Sequence, residues 1–372
     1  MITLTKDMYV PALSWRLGEY QALFKLTDDV KDRIVPFLTI PQIEFDFDSG
    51  EMKKTIQDHV SPFPKRFKEK WGDRPAWIGV HRGIANMSMD DGQDIYTYIF
   101  QNLRSLREKA MPTIHLDLPP TLVNSIRSIV KTDGNGLAVT VSIEDLMKSE
   151  TSNKIHKLTK MLGVGFDDVD LVINLGSPNF LPYDIFAKLL NQRFGNLDNL
   201  NAYRNFLLIG TSYPETFQNV AEGSDQILRH EWLFYCTLHD QISTKVRFPN
   251  FGDFTIVHPN FQAVDLRKTK PAGKLVYTTP KTWEVRKGGP FLENTNQMYG
   301  HCESIVRSGK FKGGYYSFGD DYIKKCAARV DGPGNQSIWK QVAINHHITH
   351  VLEDLSKLFA VPYTPGLRLL FH

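Results

Sequence analysis

His81-Arg82-Gly83, which follows the apolar run AWIGV, is the sharpest chemical cluster in this chain. An arginine there can fork onto two phosphate oxygens, and a histidine can give or take a proton near neutrality. Three acids, Glu44, Asp117 and Glu144, stand at comparable places beyond other apolar runs. Acids, histidines and arginines converging from different segments can bind a phosphate, or a divalent ion through hard oxygen ligands. The plainer alternative makes Glu44, Asp117 and Glu144 ion-pair partners of Arg16 and Arg82, since structural networks occupy such places equally well.

Other motifs carry weaker chemistry. HHITH places His346 and His350 one helical turn apart, a spacing that metal ligands use. It lacks the glutamate of HExxH and has no cysteine nearby, so helix packing plus a surface or mouth-facing polar cluster is expected rather than zinc. Tyr277, Trp283, Arg286 and Lys287 mix aromatic and basic groups, which can stack on bases and neutralise phosphates; ordinary cross-strand packing is the competing reading. GPGN at 332–335 has no preceding strand and no GK[ST] ending, so it reads as a turn capped by Asn335 or Ser337. No GxSxG elbow occurs and Cys236 lies in an apolar helical pattern, which sets nucleophilic serine or cysteine catalysis aside.

The elements that must position these groups repeat. Short β-branched or aromatic runs begin at Tyr9, Ile34, Ala76, Pro112, Leu137, Val169, Asn205 and Phe254, most of them followed by a helical pattern. This spells an α/β fold, a (β/α)8 TIM-like barrel over residues 1–265, with a C-terminal β-hairpin and helices over 266–372 docked on it. Chemistry in such a barrel sits at the strand C-terminal ends. Alternation along a strand puts Thr140, Ser142 and Glu144 on one face, and Thr113, His115 and Asp117 on another strand's face. Asp253 is read as the start of the eighth strand and His258 as lying just beyond it. Helices are expected near 94–110, 122–130, 152–162, 183–194, 225–242, 297–308 and 337–358.

Composition bounds the class. With 41% hydrophobic and 23% charged residues, the chain is an ordinary globular protein, and its +3 charge neither demands nor excludes nucleic acid. Three widely spaced cysteines suit a reduced, cytoplasmic protein better than a disulfide framework. The opening MITLTKDMYV has no apolar signal core, and no apolar run is long enough to span a membrane.

The opening YVPALSWRLGEYQAL, the pair Pro36 and Pro41, NFGDF at 250–254 and GNQSIWKQVAINHHITHV at 334–351 resemble, in order, the Beta protein family of bacteriophages and prophages. The resemblance implies a cytosolic protein of mobile elements, with prophage members associated with anti-phage defence, and it brings no catalytic residue set. Thr39 stands where the resemblance leads one to expect a glutamate. The HRG triplet is also similar to that of glycerophosphodiester phosphodiesterases, but those carry it on the first strand, followed by a glutamate-containing signature; here IANMS follows.

These readings lead first to a binding or effector component of phage–host conflict that recognises a phosphate-bearing or protein ligand at the barrel mouth. A metal-dependent phosphodiester hydrolase or nuclease is the alternative. The catalytic candidates are His81, Arg82 and Glu144. The expected ligand-binding residues are Trp15, Arg16, Glu44, Asp117, Asn174, Tyr213, Asp253, Trp283 and Arg286. No cofactor and no metal set is assigned, and a nucleotide, a nucleic acid or a protein of a defence system is the expected partner.

Overall fold

The computed structural model describes residues 2–46, 49–260, 270–363 and 365; the expected division at 265/266 lies outside the described residues. Eight parallel strands close a barrel: Val10–Ser14, Phe37–Ile40, Ala76–Val80, Ala110–His115, Leu137–Ser142, Val169–Gly176, Asn205–Gly210 and Asn250–Asp253, the first to eighth barrel strands. They neighbour one another in chain order, and the ring closes through Val10↔Gly252 and Pro11↔Asp253.

The fifth strand shows why the barrel is solid. Val139 and Val141 point into the helix layer, where they join Ile126, Ile155 and Leu158. Ala138 points inward and meets Trp77, Met111, Val172 and Leu207. Trp77 fills the lumen and donates its indole N–H to Asp170 Oδ2 at 2.7 Å. That carboxylate is held in turn by Arg204 Nε and Asn205 Nδ2, each at 2.7 Å. Asp170 is the second residue of its strand, so this ion pair seals the N-terminal end, where barrels store stability rather than chemistry.

Two expectations fail for identifiable reasons. The eighth strand is Asn250–Asp253, not the run from Phe254. A Cβ on Gly252 would sit 2.8 Å from both the Val10 carbonyl oxygen and Ile209 Cγ1, so glycine permits the close ring closure. Thr255 then takes φ +56°, and its N–H donates to Asp253 Oδ1 at 2.8 Å, which turns the chain out of the sheet. Asp253 therefore ends the strand rather than starting it. Likewise Gly223–Leu228 is a strand, and the helix expected from 225 begins only at His230.

That strand belongs to the extension. It pairs antiparallel with Thr282–Pro290, which pairs with Ala272–Thr278 in the expected hairpin. Helices Gln297–Arg307, Phe318–Ala327 and Gln336–Leu358 follow; the middle one was not read from the sequence. They enclose a second core of Leu275, Tyr277, Met298, Cys302, Ile323 and Trp339. The last helix is capped by Asn335, whose side chain accepts from Ile338 N at 3.0 Å. It serves both cores, with Trp339 and Val342 on the extension side and Ile344, Ile348, Val351 and Leu355 against the barrel. A helix apolar on both sides must be buried between layers. It lies over the first barrel helix, Leu17–Phe24, where Asn345 Nδ2 donates to the Ala22 carbonyl at 3.2 Å.

Candidate functional site

The barrel's C-terminal end divides into a sealed half and a charged rim. The sealed half lies at the seventh and eighth strands. Asp253 accepts from Tyr9 Oη, from Thr255 N, and from His347 Nε2 at 3.0 Å. Burial pushes the Asp253 carboxyl up, but His347, Tyr9 and Arg229 outweigh it, and its pKa ends below the usual value. His347 Nδ1 lies 2.9 Å from Thr278 Oγ1, and burial, opposed by Asp253, lowers the ring's pKa. An Asp–His–Thr relay has the wiring of a nucleophilic triad, yet all three residues are no more than 1% exposed. It fastens the roof to the barrel. His346 is fixed similarly, with Nδ1 and Nε2 each 2.8 Å from an acceptor, Asp320 Oδ2 and the Thr278 carbonyl. Both histidines of the HHITH motif at the one-turn spacing, His346 and His350, are buried.

Arg229 lies beneath this roof with no solvent exposure. Its Nη1 donates to Asp354 Oδ2 at 2.7 Å and to the Thr279 carbonyl at 2.8 Å, while Nε stands 3.8 Å from Glu231. Burial lifts the Glu231 carboxyl to about 7 and that of Asp354 to about 6, each held back by Arg229.

Several residues expected to bind a ligand are enclosed here. Trp283 is fully buried, edge-on to Tyr213 with ring centroids 5.2 Å apart, so it plugs this side of the mouth. Arg286, three residues on and so on the strand's opposite face, is turned to the extension helices: its Nε donates to Ser304 Oγ at 2.8 Å and Nη1 lies 3.6 Å from Glu284. Neither side chain is placed to stack on a base. Trp15 points into the helix layer, against Tyr20, Phe63 and Phe67, because the strand's alternation turns it away from the mouth. Asn174 caps its own strand end, accepting from Gly176 N at 2.9 Å. Glu144 is exposed on the short helix Ile143–Leu146. Ser142 ends the strand by accepting from Asp145 N, so the alternation that would have aimed Glu144 inward stops first.

The rim over the first four strands gathers the remaining candidates. Arg16 Nη1 lies 3.7 Å from Glu44, which also accepts from Lys53 at 3.0 Å. Arg82 Nη2 donates to Asp117 Oδ1 at 3.0 Å, and both side chains are exposed. His81 Nδ1 accepts from Gly83 N at 3.1 Å, which fixes the turn and leaves Nε2 outward. Burial, then the charges of Arg16 and Arg82, push its pKa down. Behind it, burial and then Arg82 lower His115 to about 4. Both rings are therefore neutral hydrogen-bonding groups in a positive field.

Three groups here escaped the sequence reading. Glu19, in the first turn of helix Leu17–Phe24, is 2% exposed. No described group makes a full hydrogen bond to either oxygen, although the Ser14 backbone favours the anion. Burial, opposed by Lys340 and Arg16, raises its pKa to about 7. Lys340 comes from the roof helix, which approaches so closely that a Cβ on Gly18 would meet Lys340 Cβ at 2.8 Å. Lys274 extends the positive region: it sits over the Phe217 ring at 3.7 Å, and burial, then Lys340 and Lys287, lower it to about 8. The opening GEY motif contained Glu19, but nothing local marked it as buried. Among the described residues no group of three or more histidine, cysteine, aspartate and glutamate side chains is arranged to hold a metal.

The fold and rim define a closed parallel (β/α)8 barrel whose mouth is roofed by its own C-terminal extension. Comparison with known families is then specific: the model of the Beta protein family matches residues 9–353, and the chain belongs to that family. No curated protein matches it. Among solved structures it is similar to a mutant tryptophan synthase α-subunit from Pyrococcus furiosus, at 10% identity and TM-score 0.39, over 68% of this chain and 88% of that one. Triosephosphate isomerase from Bartonella henselae aligns at 8% identity and TM-score 0.34, over 67% and 92%. The enoyl reductase domain of MlnA from Bacillus amyloliquefaciens aligns at 10% identity and TM-score 0.37, over 96% and 94%. No described helix is long and apolar enough to cross a membrane.

Proposed function

We propose that the rim over the first four strands binds a phosphate-bearing ligand, and that the protein acts as a binding component rather than as a metal-dependent hydrolase. The observation that carries this is the placement of Arg16 and Arg82 beside two histidines, His81 under the charge of both and His115 under that of Arg82, with Lys340 next to Arg16 and Lys274 next to Lys340. A planar guanidinium matches phosphate geometry, and neutral imidazoles add donors without repelling the arginines. The hydrolase alternative needs Glu44, Asp117 and Glu144 together. Glu44 is tied to Lys53 and Arg16, Asp117 to Arg82, and Glu144 lies on a separate helix. A role in phage–host conflict, the setting that the family resemblance implies, belongs to the same reading.

Titration calorimetry with inorganic phosphate and a series of mononucleotides tests it. Binding should weaken roughly tenfold in Arg82→Gln, the loss expected of a charge-assisted hydrogen bond. Arg82 is exposed, so the fold should hold. An Arg82→Gln protein with unchanged affinity, or a wild type that binds none of the series, would remove the rim from consideration. Plaque counts on cells with and without the intact rim test the setting.

A further inference from the structure

Away from the mouth, aromatic rings and cations alternate along one flank. Tyr20 and Phe24 lie four residues apart on helix Leu17–Phe24 and so share a face. Arg66 sits over the Tyr20 ring at 5.2 Å. Phe24, 40% exposed, has Lys70 at 4.4 Å, Lys25 at 5.5 Å and Lys31 at 6.0 Å from its ring centre. Lys25 also lies 5.3 Å from the ring of Phe318, which carries the series from the barrel onto the extension. There Lys324 covers Tyr315, 61% exposed, at 5.6 Å. A Cβ on Gly314 would meet Lys324 Cδ at 2.8 Å, so glycine gives that lysine its room.

Two features separate this stripe from an ordinary solvated face. The neighbouring acids are taken by other cations: Arg74 holds Asp28 at 3.0 Å and Asp32 at 2.7 Å, Arg33 holds Asp29 at 3.7 Å, and Lys325 holds Asp321 at 2.7 Å. Among the described residues, none of the stripe's own lysines or Arg66 forms a salt bridge. Phe24 and Tyr315 also remain exposed beneath their lysines, with Tyr20 and Phe318 half-buried between them. A flexible ammonium held over an exposed ring can swing to a phosphate while a base takes its place on the ring face. That pairing of stacking platforms with backbone-neutralising charge suits a single strand, whose bases are open to stacking; a duplex keeps its bases stacked inside.

We infer that this flank, from Tyr20 and Phe24 to Phe318 and Tyr315, binds single-stranded nucleic acid without base-specific readout. The site is separate from the rim and does not depend on the rim's ligand. The test is fluorescence anisotropy of labelled 15-mers of deoxythymidine and of uridine with the full chain, at several salt concentrations; the two arms tell DNA from RNA, and binding of either supports the site. Phe24→Ala and Tyr315→Ala should each weaken binding about tenfold, within the range base–aromatic stacking provides. Lys70→Gln should flatten the salt dependence by about 0.7 in logarithmic slope, one phosphate contact on a single strand. Arg82→Gln, at the rim, should leave strand affinity unchanged. Absence of binding to both oligomers at low salt overturns the inference. So does equal affinity for a duplex or for anionic lipid vesicles combined with indifference to Phe24→Ala, which would mean charge alone is read.

Discussion

Replacing Glu19 by glutamine isolates one buried charge. The carboxyl sits under the roof helix at 2% exposure, and its pKa is raised from 4.5 to about 7, chiefly by burial. Because its folded-state pKa lies above the unfolded value, the folded protein keeps a proton that the unfolded chain releases. Stability from this group is therefore intact below about pH 4.5 and is lost as pH rises to about 7. At pH 8 the ionised carboxylate costs the fold about 3 kcal/mol. Glutamine, of nearly the same shape, carries no such charge. In a 372-residue chain that difference amounts to a rise of about 4 °C in midpoint at pH 8. Scanning calorimetry of wild type and Glu19→Gln from pH 4.5 to 8.5 reads it directly. Glu231 and Asp354 also titrate near neutrality, but they are common to both proteins and cancel in the difference. The gain should be nearly absent at pH 4.5, grow to about pH 7 and level off by pH 8. A gain independent of pH, or a variant less stable at pH 8, would refute the reasoning that burial outweighs Arg16 and Lys340.

Arg229→Met leaves Asp354, Glu231 and Asp253 without the cation they surround, and should cost about 3–5 kcal/mol by urea unfolding at pH 8. The loss should shrink below pH 6, as Glu231 and Asp354 protonate; an equal loss at both pH values would show that packing rather than charge is at stake. Trp283→Ala removes the fully buried plug between hairpin and barrel and should cost about 3–5 kcal/mol. Hydrogen exchange should then rise first in Ala272–Thr278 and Thr282–Pro290. Uniform acceleration across the barrel strands instead would deny Trp283 its role as the roof's anchor.

The first seven barrel strands were legible because they are runs such as LAVTVS and NFLLIG, whose apolar, β-branched side chains suit a surface buried on both faces. The eighth was not, because NFGD carries no such mark; it is a strand because two neighbours pair with it and glycine lets the ring close. Gly223–Leu228 looks equally unlike a strand and is made one by Thr282–Pro290, far along the chain. The rim's arginines and His81 were legible as types at strand ends. Glu144 misled because a strand's alternation was carried past the residue where the strand stops, and Trp15 because the same alternation, which places it with Leu13 in the helix layer, was not applied to it.

The repeated alternation of apolar runs and helical patterns is a local property, and from it alone followed the barrel and the end at which charge should gather. Which charges stay available is decided through space. His347 closes on Asp253 from 94 residues away, and Asn345 reaches Ala22 across 323. Burial by such distant segments sets whether a carboxylate is paired, neutral or displaced to a higher pKa, because desolvation depends on everything packed around a group and not on its neighbours in the chain. Glu19 is an unremarkable helix-start acid until Lys340 and the roof helix cover it.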